Sequence, residues 1–236
     1  MKWLDIKIRF LKPLVTNKDY IIYLNSKGIK CGKHTKFFDT RNIFVDTQRP
    51  WMLEIGDYCK ITRGVLILQH DYSRSVLRRV YGEIIDGVKQ TKIGDNVFIG
   101  MNSIILMGTE IGDNVIVGAG SVVSGKIPSN CVIAGVPAKV ICTLEEYYLK
   151  RKAAYIDEAK ECVCVFHKKN ARYPSIEEMG AFFPIYLERS VKKLEENNIF
   201  TNLSGDDEND VINAWLKSVP QYESYNEFLK GCKVKS

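Results

Sequence analysis

The sequence predicts a mainly β protein in which short parallel strands stack into coils, and three observations support this prediction. Between residues 91 and 140 an aliphatic residue recurs every six positions, and glycine follows it at four of six occurrences. These residues are Ile93, Ile99, Ile105, Ile111, Val117 and Val123. The fifth residue of each unit is smaller, as at Val97, Ser103, Thr109, Val115 and Ser121. A period of six fits neither a helix nor an alternating strand, but it fits a chain that turns a corner after every short strand.

Each six-residue unit is interpreted as one strand and one corner. The large first side chain and the smaller fifth side chain would be buried in a narrow core. Gly, Asp and Asn fill the second to fourth positions, where a sharp turn often requires positive φ. Strand spacing then makes each coil rise by about 4.8 Å. An ordinary β-sandwich with turns is the alternative, but a fixed repeat of this length is typical of a solenoid.

Three segments of this repeat, IGDNVFIG, IGDNVIVGAGSVV and AGVPAKVI, resemble the hexapeptide-repeat acyltransferases. The resemblance implies a left-handed parallel β-helix, assembly as a homotrimer, and acetyl-CoA as the acyl donor. The span 29–141 as a whole is similar to O-acetyltransferases that act on sugars of surface polysaccharides or their precursors.

The same spacing begins before the clearest motifs. Seven residues are spaced by six, and only the fourth of them is not apolar: Cys31, Phe37, Ile43, Arg49, Ile55, Ile61 and Ile67. This register places Thr35, Thr47, Cys59 and Val65 at the small fifth position. We therefore expect the β-helix to span residues 29–141. Residues 1–28 are predicted to form an N-terminal capping segment, in which a short helix ended by Gly28 covers the open edge of the first coil.

An insertion interrupts the spacing between Ile67 and Ile93 and is predicted to leave the coil over residues 72–90. It carries three arginines that are candidates for binding the acceptor, Arg74, Arg78 and Arg79. Residues 1–90 hold 17 basic and 9 acidic residues of a chain with net charge +6, which favours an anionic ligand, either cofactor phosphates or an acidic saccharide. A tolerated surface excursion with a solvated basic surface is the alternative. Nucleic acid is disfavoured, because there is no compact basic helix or aromatic RNA-binding motif.

The six-residue spacing stops after Pro137, and residues 142–236 are predicted to be an α-helical region that serves assembly or acceptor recognition. No apolar run reaches the length of a membrane span, and Asp5 interrupts the position of a signal peptide's apolar core, so a cytoplasmic protein is expected. Seven cysteines without paired CxxC motifs suit reduced thiols, and no structural metal site is predicted.

His70 is the candidate catalytic residue. It occupies a corner position at the fourth place of the Ile67 unit, immediately before the insertion. The segment ITRGVLILQHDYS also resembles the one that carries the catalytic histidine in sugar acetyltransferases of this superfamily. A neutral imidazole there would act as general base on the acceptor hydroxyl during direct acyl transfer, whereas a solvated corner histidine is the alternative. Asp71, its neighbour, and Glu83, in the insertion, are the candidates for orienting the imidazole.

The coenzyme A site follows from the resemblance alone. It implies that four residues line the pantetheine arm: Gly100, Met101, Gly118 and Ala119. It places three more toward the phosphates: Ser124, Lys126 and Lys139. Many relatives have Thr-Lys-Asp where this chain has Ser124, Gly125 and Lys126, so the lysine is displaced by one position.

The leading functional hypothesis is an acetyl-CoA-dependent sugar O-acetyltransferase, with an N-acetyltransferase of an amino sugar or a xenobiotic (antibiotic) acetyltransferase as alternatives. Serine acetyltransferase is less favoured, because its helical domain precedes the β-helix. A γ-carbonic-anhydrase-type hydratase needs three zinc-binding histidines at each site. His34 and His70 are 36 residues apart, and two coils of eighteen residues would separate them by about 10 Å. A non-catalytic assembly subunit would share the coils but would not need a histidine beside an arginine-bearing loop.

Overall fold

The computed structural model describes residues 15–201 and 205–232. The chain divides into two compact units, residues 1–147 and 148–236. The described strands all belong to the first unit, together with a few short helices, whereas the second unit is helical. The first fourteen residues of the predicted capping segment lie outside the described residues.

The described part of the first unit contains seventeen short strands. In chain order they are β1 Lys30–Cys31, β2 Lys36–Phe37, β3 Phe44–Val45, β4 Leu53–Ile55, β5 Lys60–Ile61, β6 Leu66–Ile67, β7 His70–Asp71, β8 Gly87–Val88, β9 Thr91–Ile93, β10 Phe98–Ile99, β11 Ile104–Ile105, β12 Glu110–Ile111, β13 Val115–Val117, β14 Val122–Val123, β15 Lys126–Ile127, β16 Cys131–Gly135 and β17 Ala138–Thr143.

Three sheets of parallel strands form the faces of this unit. The first face contains β1, β4, β9, β12 and β15, the second contains β2, β5, β10, β13 and β16, and the third contains β3, β6, β11 and β14. The chain passes through the three faces in turn, so that each circuit is one coil. This arrangement confirms the predicted parallel β-helix of hexapeptide repeats, while left-handedness remains an expectation from the resemblance. We call the turn from the first to the second face the first corner, the next turn the second corner, and the return to the first face the third corner.

Polar side chains at the fifth position are buried because their hydroxyl groups bond to backbone carbonyls. Thr35 Oγ1 donates to the Gly56 carbonyl at 2.7 Å, and Ser121 Oγ donates to that of Gly118 at 2.6 Å. Ser103 Oγ reaches the same Gly118 carbonyl at 3.1 Å. A small hydroxyl therefore fills the narrow core without leaving an unsatisfied polar group.

The predicted register is wrong between Phe37 and Ile55. Phe37 pairs with Ile61 as expected, but the residue paired with Ile67 is Val45 and not Ile43. Ile43 instead fills a buried fifth position, and Thr47 and Arg49 lie outside the core. Two extra residues follow Phe37, and a 3-10 helix at Pro50–Met52 occupies the next corner. Corners of unequal length hide the repeat in this coil.

The two histidines of the β-helix consequently lie on different corners. The His34 ring stacks on that of Tyr58, with centroids 4.6 Å apart, at the first corner, whereas His70 follows β6 at the third corner. The expectation that His34 lies directly below His70 was therefore wrong. Within the described part of the chain, no group of three His, Cys, Asp or Glu residues is placed to hold a metal ion.

Stacked carboxylates join successive coils at the first corner. Asp57 Oδ1 accepts the Lys33 N–H at 2.7 Å, Asp95 Oδ1 accepts the Asp57 N–H at 2.8 Å, and Asp113 Oδ1 accepts the Asp95 N–H at 2.8 Å. The residue after each of these positions adopts positive φ, between 54° and 60° at His34, Tyr58, Asn96, Asn114 and Asn130. Asn is enriched at such positions because it tolerates the left-handed conformation.

Helix α1 (Asn17–Lys27) covers the lower end of the coils, as predicted. Thr16 and Asp19 form a capping box at its start, and Gly28 ends it in the left-handed conformation. The Asn17 side chain accepts the Phe37 N–H at 2.7 Å and donates to the Thr35 carbonyl at 3.3 Å. The helix thus satisfies backbone groups that the first coil would otherwise expose. At the upper end, β17 closes the second face by pairing antiparallel with β16.

The helical unit has its own core. Helix α2 (Arg74–Tyr81) belongs to the insertion of the first unit. The helices of the C-terminal region follow it in chain order: α3 Leu144–Asn170, the 3-10 helix Gly180–Ile185, α4 Val191–Glu196, α5 Glu208–Leu216 and α6 Tyr225–Lys230. Its buried residues include Val163, Phe183, Tyr186, Trp215 and Phe228. All seven cysteines of the chain are free thiols. Among the described helices, none has the length and apolar character that crossing a bilayer requires.

Replacing Gly94 with alanine tests the close approach of coils. The added Cβ would lie 2.8 Å from the carbonyl group of Gly112 in the next coil, so we expect a loss of about 1–3 kcal/mol in unfolding free energy. Gly87→Ala is the matched control, because its Cβ would approach no atom closer than 3.5 Å. Chemical denaturation would compare the two variants, and equal stabilities would contradict the close-packing explanation.

Candidate functional site

The insertion begins at the third corner of the second coil. After β6 the chain forms the antiparallel hairpin of β7 and β8, in which His70 pairs with Val88 and Asp71 with Gly87. In the sequence, helix α2 follows β7 and precedes β8, so it is part of the connection between the two strands of the hairpin. The chain thus leaves the coil between β6 and β9. His70 lies at the base of the insertion, on the strand that joins the insertion to the coil.

The His70 side chain is held by a carboxylate from the coil below. Its Nδ1 hydrogen-bonds to Oδ2 of Asp46, which directly follows β3. Only 10% of the His70 side chain and 2% of the Asp46 side chain are exposed. Among the described residues, no hydrogen-bond partner faces His70 Nε2. A carboxylate on Nδ1 favours the tautomer that carries its proton there and leaves a lone pair on Nε2.

Backbone amides fix Asp46 in turn. Its Oδ1 accepts the Gln48 N–H at 3.0 Å and its Oδ2 accepts the Gln69 N–H at 3.3 Å. The Gln69 side chain is fully buried and donates to the Asp46 carbonyl oxygen at 2.9 Å. A buried carboxylate needs such donors, because leaving water is costly unless hydrogen bonds replace the lost hydration. The position of the imidazole therefore depends on two stacked coils.

Neither residue proposed from the sequence orients the imidazole. Asp71 accepts hydrogen bonds from the Ser73 N–H at 2.7 Å and from the Ser73 hydroxyl at 2.8 Å, and these bonds lower the pKa of its carboxyl. Adjacent residues of a strand point to opposite sides, which turns Asp71 away from the ring. Glu83 is exposed in the connection after α2. The geometry gives the orienting position to Asp46.

The segment Asp46–Arg49 also anchors the insertion. The Gln48 side-chain amide donates to the Tyr72 hydroxyl, and the Arg49 guanidinium pairs with Asp86. Asp86 also accepts Arg74 Nη1 at 2.8 Å. The hydrogen bond from Arg49 is the main cause that lowers the Asp86 pKa, with smaller contributions from the charges of both arginines. One short segment thus fixes the base, an aromatic ring beside it and the far strand of the hairpin.

The three arginines predicted to bind the acceptor differ in position. Arg74 lies at the start of α2, with its guanidinium 5.8 Å from the centroid of the Tyr72 ring. Arg78 and Arg79 are exposed on α2. Of the three, Arg74 is the one that the structure brings close to the Tyr72 ring.

The residues implied to line the pantetheine arm lie at the second corner. They form two levels, Gly100 with Met101 and Gly118 with Ala119, and Met101 and Ala119 are exposed. An added Cβ on Gly100 would lie 2.6 Å from the Ala119 nitrogen. The close stacking of the two coils is therefore enough to explain why position 100 is a glycine, without a bound cofactor. Within one chain these residues and His70 occupy opposite ends of the third face.

The three residues implied to lie toward the phosphates are not clustered. Ser124 is exposed at the third corner, two coils above His70. Lys126 lies on the first face and pairs with Glu110 at 3.2 Å. Lys139 is exposed on β17, opposite Ala134. A single chain does not bring them together.

Comparison with known proteins adds to this geometry. The profile of the family "Hexapeptide repeat of succinyl-transferase" matches residues 90–124. "Protein CapG" of Staphylococcus aureus is 44% identical over 124 residues, which cover 52% of this chain and 70% of CapG. The chain belongs to the hexapeptide-repeat acyltransferases.

Two further relatives of this superfamily carry acetyltransferase names. "Putative acetyltransferase YvoF" of Bacillus subtilis strain 168 is 31% identical over 141 residues, covering 60% of this chain and 75% of YvoF. "Putative lipopolysaccharide biosynthesis O-acetyl transferase WbbJ" of Escherichia coli K12 is 61% identical over 49 residues, covering 21% of this chain and 25% of WbbJ. The protein is thus an acyltransferase, and both of these relatives carry putative acetyltransferase names.

Some solved acetyltransferase structures match part of this chain. One is a serine acetyltransferase of Brucella abortus strain S19 in complex with coenzyme A. It is 25% identical and matches with a TM-score of 0.38, over 49% of this chain and 40% of its own.

Sequence reasoning on this acyltransferase missed Asp46, Gln48 and Tyr72. Asp46 is far from His70 in sequence, and the spacing of eight residues from Phe37 to Val45, instead of six, obscured its place beneath the third corner. One signal was available, because Asp46 is the only acidic residue that directly follows a described strand of the third face, where the others are Leu68, Leu106 and Ser124. Tyr72 lies within the predicted insertion, in which only the arginines are predicted to bind the acceptor.

The tautomer of His70 is directly measurable. We expect neutral His70 in the wild type to carry its proton on Nδ1, because Asp46 accepts it, and Asp46→Ala to increase the Nε2-protonated form. Long-range ¹H–¹⁵N correlation spectra would show both, since the chain has three histidines. His34 is the internal control and should not change. Identical His70 spectra in the two proteins would contradict the orienting role of Asp46.

Proposed function

We propose that this acyltransferase moves the acetyl group of acetyl-CoA to a sugar hydroxyl, in the synthesis of a surface polysaccharide. The observation that carries the proposal is the His70–Asp46 pair at the base of the insertion. The name of WbbJ, a putative O-acetyl transferase of lipopolysaccharide biosynthesis, supports an O-acetyl acceptor in polysaccharide synthesis. An amine of an amino sugar is the second acceptor to be tested.

The chemistry follows from the orientation of His70. The Nε2 lone pair accepts the proton of the acceptor hydroxyl while the oxygen of that hydroxyl attacks the thioester carbonyl of acetyl-CoA. The tetrahedral intermediate then breaks its carbon–sulfur bond, and the imidazolium returns the proton to the thiolate of coenzyme A. Asp46 stabilises the transient imidazolium through Nδ1, as a buried carboxylate does for a catalytic histidine.

The site requires a second copy of the chain in this proposal. His70 and the residues implied to hold pantetheine stand at opposite ends of the third face, up to about 20 Å apart for a six-residue side. The outward residues of that face are apolar and aligned strand to strand: Phe44, Leu66, Ile104 and Val122. On the first face the corresponding row alternates in charge: Lys30, Glu54, Lys92, Glu110 and Lys126. We therefore place the contacts of a homotrimer on the third face.

His70→Ala tests the general base. Turnover of acetyl-CoA with a sugar acceptor should fall by at least about 10²-fold, because no other group replaces a positioned proton acceptor. The KM for acetyl-CoA should stay nearly unchanged. Release of free coenzyme A would be measured with a panel of nucleotide sugars, simple sugars, amino sugars and antibiotics.

His34→Ala is the matched control, because His34 lies at another corner. It should keep wild-type turnover. Equal turnover of wild type and His70→Ala would refute the general base. Equal losses in both variants would indicate folding damage, and activity on antibiotics alone would move the protein to the xenobiotic acetyltransferases.

The solution mass tests the homotrimer. Light scattering should give three times the chain mass of 26.9 kDa. Phe44→Asp should lower this mass, because a charge would be buried in the contact between subunits. The same variant should also lose activity. Lys92→Asp on the first face is the control and should remain trimeric. A wild-type mass equal to a single chain would contradict the assembly.

A further inference from the structure

We infer that Tyr72 is the platform on which the sugar ring of the acceptor lies, and that Gln48 holds this ring in place. The inference rests on the proposed function, because it names the residue that positions the acceptor against His70. It assigns a binding role to an aromatic side chain that is not among the site residues predicted from the sequence.

The Tyr72 ring lies directly beside the proposed base. Its centroid is 4.3 Å from that of the His70 imidazole, and the two planes are inclined by 82°. Tyr72 nevertheless keeps 56% of its surface exposed, whereas the His70 side chain is 10% exposed. A partly exposed aromatic ring therefore lies directly beside the nearly buried imidazole.

The ring is held before any ligand arrives. The Tyr72 hydroxyl accepts a hydrogen bond from the Gln48 side chain, and the Gln48 N–H is bound by Asp46. Asp46 thus fixes both the imidazole and, through Gln48, the aromatic ring. An exposed tyrosine normally samples several rotamers, so this hydrogen bond reduces the entropy lost when a ligand binds.

The chemistry of the platform fits a saccharide. A pyranose ring has a face of C–H groups that packs on an aromatic ring, while its hydroxyls remain at the edge and can reach a base. An aromatic residue contributes large apolar area with few rotatable bonds. The Arg74 guanidinium lies over the Tyr72 ring, 5.8 Å from its centroid, and one of its N–H groups is bound to Asp86. Its other N–H groups can bond to hydroxyl or carboxylate oxygens of the same sugar.

Other aromatic residues do not share this position. Tyr81 is 71% exposed on the same insertion, but it lies at the end of α2, away from the imidazole. Tyr58 stacks on His34 at the first corner. Tyr72 alone among these combines exposure, a fixed ring and contact with His70.

The experiment compares three substitutions at Tyr72 in the full chain. Tyr72→Ala and Tyr72→Leu remove the ring, whereas Tyr72→Phe keeps it and loses the bond to Gln48. With a sugar that the wild type acetylates, the acceptor KM should rise by about 10-fold in the first two variants, the scale of one well-placed aromatic contact. Tyr72→Phe should stay within about threefold of the wild type. The KM for acetyl-CoA should not change in any of them.

Tyr81→Ala is the matched control for removing an exposed tyrosine from the insertion and should retain the wild-type acceptor KM. The platform is refuted if Tyr72→Ala and Tyr72→Leu bind the sugar as the wild type does, or if Tyr72→Phe loses as much as Tyr72→Ala. An equal rise in the KM for acetyl-CoA would also overturn it, because the damage would not be specific to the acceptor. A wild type that acetylates no sugar would instead refute the proposed function itself.

Discussion

The stacking of one coil on the next at the first corner is the constraint on which the rest of the β-helix depends. Each carboxylate there accepts an N–H from the coil below, at 2.7 to 2.8 Å for Asp57, Asp95 and Asp113. An extra residue would move a carboxylate out of reach of its donor. The passage from the first to the second face therefore has one length at every level, from Cys31 to Phe37 and from Ile93 to Ile99 alike.

The third corner is free of this constraint, and that is where the chemistry is placed. It holds the 3-10 helix after Val45 and the whole insertion after Ile67, whereas it is short after Ile105. An insertion there does not disturb the strand pairing above and below. The position of His70 is still rigid, because Asp46 belongs to a different coil from the one that carries the histidine. The site thus combines a variable connection with a fixed support.

Much of the fold can be predicted from the sequence, because the six-residue period indicates both where the strands recur and which side chains are buried. The strict repeat from Ile93 to Val123, the insertion and the helical region are all predictable. The first coil is not, because the register slips at Val45 and periodicity cannot detect a change in corner length. The same slip hid Asp46. Its contact with His70 joins residues that only the stacking of two coils brings together, whereas Asp71 and Glu83 were suggested by nearness in sequence.

Asn17 has a consequence for how the molecule ends. Its side-chain amide takes the place of a further strand, because it accepts the Phe37 N–H and donates to the Thr35 carbonyl. A stack of parallel strands with open edges is a template for end-to-end growth into fibrils. At this edge the template is already occupied by the chain's own helix. A coil architecture that could in principle lengthen without limit is therefore ended at β2 by the Asn17 side chain of this helix.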